Sequence, residues 1–145
     1  MLRYIRYVMG FSLIDHTADV GVKVWAEDLE GLFEEAARAL FSLITSIEEV
    51  HPRVKRGVES EGNGWEELLV GWLSELLYLH EVEGLLFSRF EIKELHGDRL
   101  KGEASGEEID PERHPIQTGV KAVTYHQLRV ERKDGLWEAQ IIFDI

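Results

Sequence analysis

Val120-Lys121-Ala122-Val123-Thr124-Tyr125-His126-Gln127-Leu128-Arg129-Val130-Glu131-Arg132, followed by Asp134-Gly135 and then residues 136–143, decides the fold. In the first segment Val120, Ala122, Thr124, His126, Leu128 and Val130 alternate with Lys121, Val123, Tyr125, Gln127 and Arg129. A period of two in residues that favour extended backbone predicts a long strand. Asp-Gly is a two-residue hairpin signal, so residues 136–143 return antiparallel beside that strand. Asp144 and Ile145 then lie at or just past its end.

Outward from this hairpin the same logic continues. Residues 85–95 alternate, with Leu86, Ser88, Phe90 and Ile92 in one set, and residues 100–104 return after Gly97-Asp98. Residues 110–118 hold two of the three prolines and form a loop. Further upstream, Leu29, Leu32, Phe33, Ala36, Ala37, Leu40, Phe41 and Ile44 recur at helical spacing behind Asp28, a good N-cap. Glu30, Glu34 and Glu35 sit near the positive end of that helix. Residues 65–82 form a second, more apolar helix with Trp65, Leu68, Leu69, Trp72, Leu73, Leu76 and Leu77 inward, and Gly71 inside it marks the close approach of another element. Residues 11–14 and 20–26 are strands, and residues 51–61 a weak, edge-like one. The order ββα-βα-ββ-ββ, with two main helices and about seven strands, predicts a single-domain α+β fold with largely antiparallel sheet.

Sixteen basic against 28 acidic residues give a net charge of −12. Such a surface repels phosphate backbones, which disfavours tight direct binding to RNA or DNA and suits a basic protein partner or a cation. With no cysteine there is neither a disulfide framework nor a thiolate metal site. No apolar run has bilayer length, and residues 1–10 lack the apolar core of a secretory leader, so the expected location is the cytoplasm. Residues 1–10 are read as an N-terminal extension, with Met9 an alternative start, and residues 11–145 as the domain.

The chemistry-bearing stretch is Asp15-His16-Thr17-Ala18-Asp19-Val20-Gly21, a polar break between two apolar runs. Taken with Asp144 and the α-carboxylate of Ile145, Asp15 and Asp19 would make an oxygen cage of the kind hard divalent cations prefer. Spacing alone does not bring these ends together. The plainer roles, Asp19 capping a turn and Asp144 a solvated tail residue, are preferred on that ground. For His16 the plainer role is a hydrogen-bonding core or turn histidine, since no nucleophile accompanies it. Lys121 is either a solvated strand lysine or a cation reaching the acids or a phosphate. Tyr125-His126 reads as a surface pair, and Glu48-Glu49 and Glu107-Glu108 as solvated acids. There is no phosphate-cradling glycine loop or nucleophile elbow, so an independent enzyme is poorly supported.

The segments His16-Thr17-Ala18-Asp19-Val20-Gly21, Ala36-Ala37-Arg38-Ala39-Leu40-Phe41, Glu75-Leu76-Leu77, Val120-Lys121-Ala122-Val123-Thr124-Tyr125-His126 and Phe143-Asp144-Ile145, in this order, resemble the archease family from about Phe11 to Ile145. The resemblance implies a non-catalytic accessory protein of the RtcB-type tRNA-splicing ligase, promoting its guanylylation and repeated turnover and widening its nucleotide choice. It implies a metal site at Asp19, Asp144 and the Ile145 terminal carboxylate, with Ca²⁺ the expected ion and Mg²⁺ or Mn²⁺ as alternatives. Lys121 matches an activity-linked lysine, and Asp15 and His16 flank the ligand set. Two other readings stand beside it: a chaperone-like modulator of RNA-processing proteins, and a stand-alone metal-dependent phosphohydrolase using the same acids.

Overall fold

The computed structural model describes the backbone of Ile5–Val8 and Phe11–Asp15 and the whole chain over residues 19–145. Among these residues the elements run β1 (Ile5–Val8), β2 (Phe11–Asp15), β3 (Asp19–Ala26), α1 (Leu29–Ile44), β4 (Val54–Glu61), α2 (Trp65–Glu83), β5 (Leu85–Leu95), β6 (Arg99–Glu108), β7 (Ala122–Lys133) and β8 (Leu136–Asp144). They build two antiparallel sheets, a five-stranded one ordered β1-β2-β3-β8-β7 and a three-stranded one ordered β4-β6-β5. The α+β class, the two helices and the edge position of β4 are as expected. β1, from the residues read as an extension, pairs with β2 and adds a strand to those predicted.

The helices join the sheets. Asp28 caps α1, its carboxylate accepting the N–H of Gly31 at 2.7 Å. The apolar face of α1 is buried against β3 and β5. Burying such Leu and Phe side chains is worth about 1.5–3 kcal/mol each, the main reason the helix stays put. α2 packs on β4 and β7. Its Trp72 is fully buried and donates its indole N–H to the carbonyl of Phe33 at 2.9 Å, so the largest core side chain leaves no polar atom unpaired. A Cβ at Gly71 would run into Ser60 of β4, which is the close approach its position in the helix suggested.

Along β5 the edge is covered by α1. Glu34 accepts the Ile92 N–H at 2.9 Å, a donor that an uncovered edge would leave to solvent or to another chain. Glu35, beside it, has one carboxylate oxygen buried with no hydrogen-bond partner, and burial pushes its carboxyl above the usual range against the pull of Arg38 at 3.5 Å. A group whose folded pKa is raised supports the fold at low pH and loses that support as pH rises through the folded value. Glu35→Gln is therefore expected to raise Tm near neutral pH, by no more than about 1 kcal/mol of stability. The gain should vanish at pH 4, and thermal melts at the two pH values check it.

Two expectations need correction. First, the alternation read through residues 120–132 is broken. Thr124 pairs with Ile142 and Arg129 with Gln140, so residues 125–128 face Ile141 alone. Gln127 takes a left-handed φ of 52° inside this bulge. Five steps on β7 against two on β8 reverse the faces, because side chains alternate with a period of two. Val130 lies opposite Ala139 in the core, whereas Ala122 and Thr124 belong to the other face and His126 is exposed.

Second, Glu107 is not a solvated acid: its side chain is 7% exposed. Arg113 grips it with two nitrogens at 2.7 and 3.2 Å, and the His51 N–H adds a third bond at 2.7 Å. The buried His114 ring accepts the Asp110 N–H on Nδ1 at 2.9 Å. Its proton therefore sits on Nε2, which donates to Glu49 O at 3.1 Å and to Glu107 at 3.2 Å. Arg113 above all, then the His51 N–H, holds the Glu107 carboxyl down at about 2. Arg113 and His114 follow Glu107 by only six and seven residues, but it is the fold of the intervening loop, and the approach of His51 from 56 residues upstream, that turns them onto it. The clasp anchors the strap between β6 and β7, which is held further on by Thr45 Oγ1 donating to Pro115 O at 3.0 Å and by the Gln117 N–H donating to Ile44 O at 2.8 Å. This strap ends at Lys121.

Candidate metal centre

Asp19 opens β3 and Asp144 closes β8, and the antiparallel register sets them directly opposite each other. Opposed residues share a face with Cβ atoms about 4.5–5.5 Å apart, so the two carboxylates are neighbours. The ladder from Ala26 opposite Trp137 to Asp19 opposite Asp144 runs without a shift. Val20, Val22, Val24, Ala139, Ile141 and Phe143 are all buried along it. A one-residue slip would turn that apolar set into solvent, so the core itself holds the two acids in register.

On its other side Asp144 faces Ala122 of β7, and the Lys121 N–H donates to the Asp144 carbonyl at 2.8 Å. Ile145 follows, its Cα about 3.8 Å from that of Asp144. At the end of β2 the backbone of Asp15 pairs opposite Val20, next to Asp19. The structure thus brings Asp15, Asp19, Lys121, Asp144 and Ile145 to one end of the large sheet, while His16 lies outside the described residues. Lys121 and Asp144 are exposed and Asp19 is half-buried.

Among the described residues no group of three or more His, Asp or Glu side chains could hold a metal ion. The described side-chain donors at the tip are therefore two carboxylates. All are hard oxygens, the donor type of Ca²⁺ and Mg²⁺, with the remaining positions open to the terminal carboxylate, water or a partner. Without a counter-ion, like charges directly opposed in a sheet repel.

A cleft of about 630 Å³ lies elsewhere, between α1 and the small sheet, and includes Ala26, at the far end of β3 from Asp19. Seven residues of strand put it about 23 Å from that acid. Charges of both signs line it and pair with one another, as Lys55 does with Glu103 at 3.6 Å and Arg38 with Glu35 at 3.5 Å. It is an open groove of mixed charge.

A model of the archease protein family (MTH1598/TM1083) matches residues 11–145. This chain belongs to the archease family. A protein archease of Methanopyrus kandleri is 49% identical over 140 residues, covering 94% of this chain and 100% of the relative. One from Pyrococcus furiosus is 44% identical over 135 residues, covering 90% and 95%. The solution structure of Methanobacterium thermoautotrophicum protein 1598 superposes with a TM-score of 0.83 at 40% identity, covering 95% of this chain and all of that one. A Thermotoga maritima crystal structure, described as an archease and possible chaperone, has a TM-score of 0.62 at 21% identity with 99% of each chain covered, a likeness of fold. The archease family match begins at Phe11, the first residue of β2, and takes in every residue of the acidic tip.

Proposed function

We propose that this archease-family chain is a non-catalytic activator of the RtcB-type tRNA-splicing ligase. In this reading it promotes the ligase's guanylylation and repeated turnover, with an effect on its nucleotide choice, and works in the cytoplasm. The observation that carries this is the pairing of Asp19 with Asp144 at an exposed sheet end, where the core fixes the two acids side by side. Asp19, Asp144 and the Ile145 terminal carboxylate would hold one divalent cation, Ca²⁺ or, in the cell, Mg²⁺ or Mn²⁺. When bound, the ion would neutralise the acids and offer open positions to phosphate oxygens. The chain's own part is to present this tip to a basic nucleotide cleft, with Asp15 and His16 flanking the ligand set and Lys121 as the nearby cation. A net charge of −12 steers it to such a cleft and away from RNA itself.

The chaperone reading needs apolar surface. The large apolar side chains exposed among the described residues are Tyr78, Val82, Ile116, Tyr125 and Leu136, spread over α2, the strap, β7 and β8. Scattered exposure of this kind is ordinary for a soluble domain. No described helix is long and apolar enough to cross a membrane.

The test is the rate at which a purified RtcB-type ligase takes up radiolabelled guanylate from GTP with and without this protein. The expected result is a stimulation of tenfold or more that Asp19→Ala and Asp144→Ala each remove. Full stimulation by both folded variants would contradict the role of the tip.

A further inference from the structure

A network of side-chain hydrogen bonds builds the β7 bulge. The Thr124 hydroxyl donates to Ile142 O at 2.9 Å and accepts the His126 N–H at 3.2 Å. The Gln140 amide donates to Gln127 O at 3.0 Å, and Arg129 donates to the Gln140 side-chain oxygen at 3.1 Å. These bonds hold Gln127, a residue with a side chain, in left-handed backbone, a conformation sustained only where its surroundings dictate it. The bulge is thus fixed, and it displays Tyr125 with 61% of its surface exposed and His126 beside it. Among the described residues β7 is an edge strand, with β8 its one strand neighbour.

Ala122 lies opposite Asp144, and Tyr125 is three residues further along the strand. Three residues span about 10 Å. A partner that seats the acidic tip with an ordinary footprint of about 800 Å² covers a disc of roughly 16 Å radius, which reaches Tyr125. The tip by itself offers charge, and exposed charges contribute on-rate and register more than affinity. A rigid tyrosine supplies the apolar contact area they lack, at small entropic cost.

We propose that the Tyr125–His126 bulge is the anchoring half of the surface that engages the ligase, with Tyr125 supplying the apolar contact that the acidic tip lacks. This rests on the reading in the preceding section and adds to it where affinity, as opposed to ion chemistry, resides.

Calorimetric titration of a purified RtcB-type ligase with wild type, Tyr125→Ala, Thr124→Val and Asp144→Ala, at low and high salt, tests it. Tyr125→Ala is expected to weaken binding ten- to a hundredfold with the salt slope unchanged and Tm kept. Thr124→Val, which unties the bulge but spares the tyrosine, is expected to weaken it less. Asp144→Ala is expected to flatten the salt slope. Binding by Tyr125→Ala within twofold of wild type overturns the anchor and leaves the activator reading standing. Absence of binding by the wild type overturns both.

Discussion

Ca²⁺ at a hundred times its Kd is expected to add about 2.7 kcal/mol to the stability of the wild type, a Tm rise of roughly 5–10 °C. Asp19→Ala and Asp144→Ala should show no such rise. Free of divalent ions, the order should reverse. The two carboxylates face each other across the β3–β8 ladder, and like charges so placed destabilise a sheet. Removing either should leave the ion-free protein as stable as the wild type or more so, by roughly 0.2–1 kcal/mol. A merely structural role for either acid predicts the opposite, a variant less stable with and without the ion. Melts in Ca²⁺ and in a chelator separate the two.

Loss of the Glu107 clasp should produce the largest drop in stability. Glu107→Ala leaves Arg113, the buried His114 and the His51 N–H without their shared acceptor. Breaking a buried ion pair on one side costs about 3–5 kcal/mol, and the partial exposure of Arg113 puts this case nearer 2–3. A Tm fall of roughly 6–10 °C follows for a chain of this size. The pH dependence is specific. The folded carboxyl titrates at about 2 against an ordinary 4.5, so the stabilisation is complete above 4.5 and lost as pH falls toward 2. The Tm gap between wild type and Glu107→Gln should therefore be constant from pH 7 to 5 and close between 4.5 and 2. A gap that persists at pH 2 would mean the clasp works through packing and not through charge.

The elements that announced themselves in the sequence are those whose cause is local. Asp28 ahead of a helical apolar stripe located α1, and Asp134-Gly135, with φ of 53° and 81°, located the last hairpin. Gly71 in an apolar helix announced the contact with Ser60. What stayed hidden depends on contacts that exist only once the chain has folded. Alternation in residues 120–132 gave no sign of the bulge, because Gln127 is not a residue that advertises left-handed backbone and its support comes from Gln140 on the facing strand. Glu107 looked like any acid, since His51 and Arg113 reach it only once the strap is folded. At the tip, spacing showed acids at both ends of the domain but not their meeting. Their meeting follows from Val20, Val22 and Val24 packing in register with Phe143, Ile141 and Ala139, a long-range pairing that residue patterns alone leave open.

In the proposed function, Asp19, Asp144 and the Ile145 carboxylate together hold a divalent cation. Calorimetric titration of the chelator-treated protein with Ca²⁺ tests it most directly. One saturable site per chain is expected, weakened at least a hundredfold by Asp19→Ala and by Asp144→Ala and weakened also when one glycine is added after Ile145. Wild type that binds no ion, or variants that bind it as tightly as wild type, would contradict the claim.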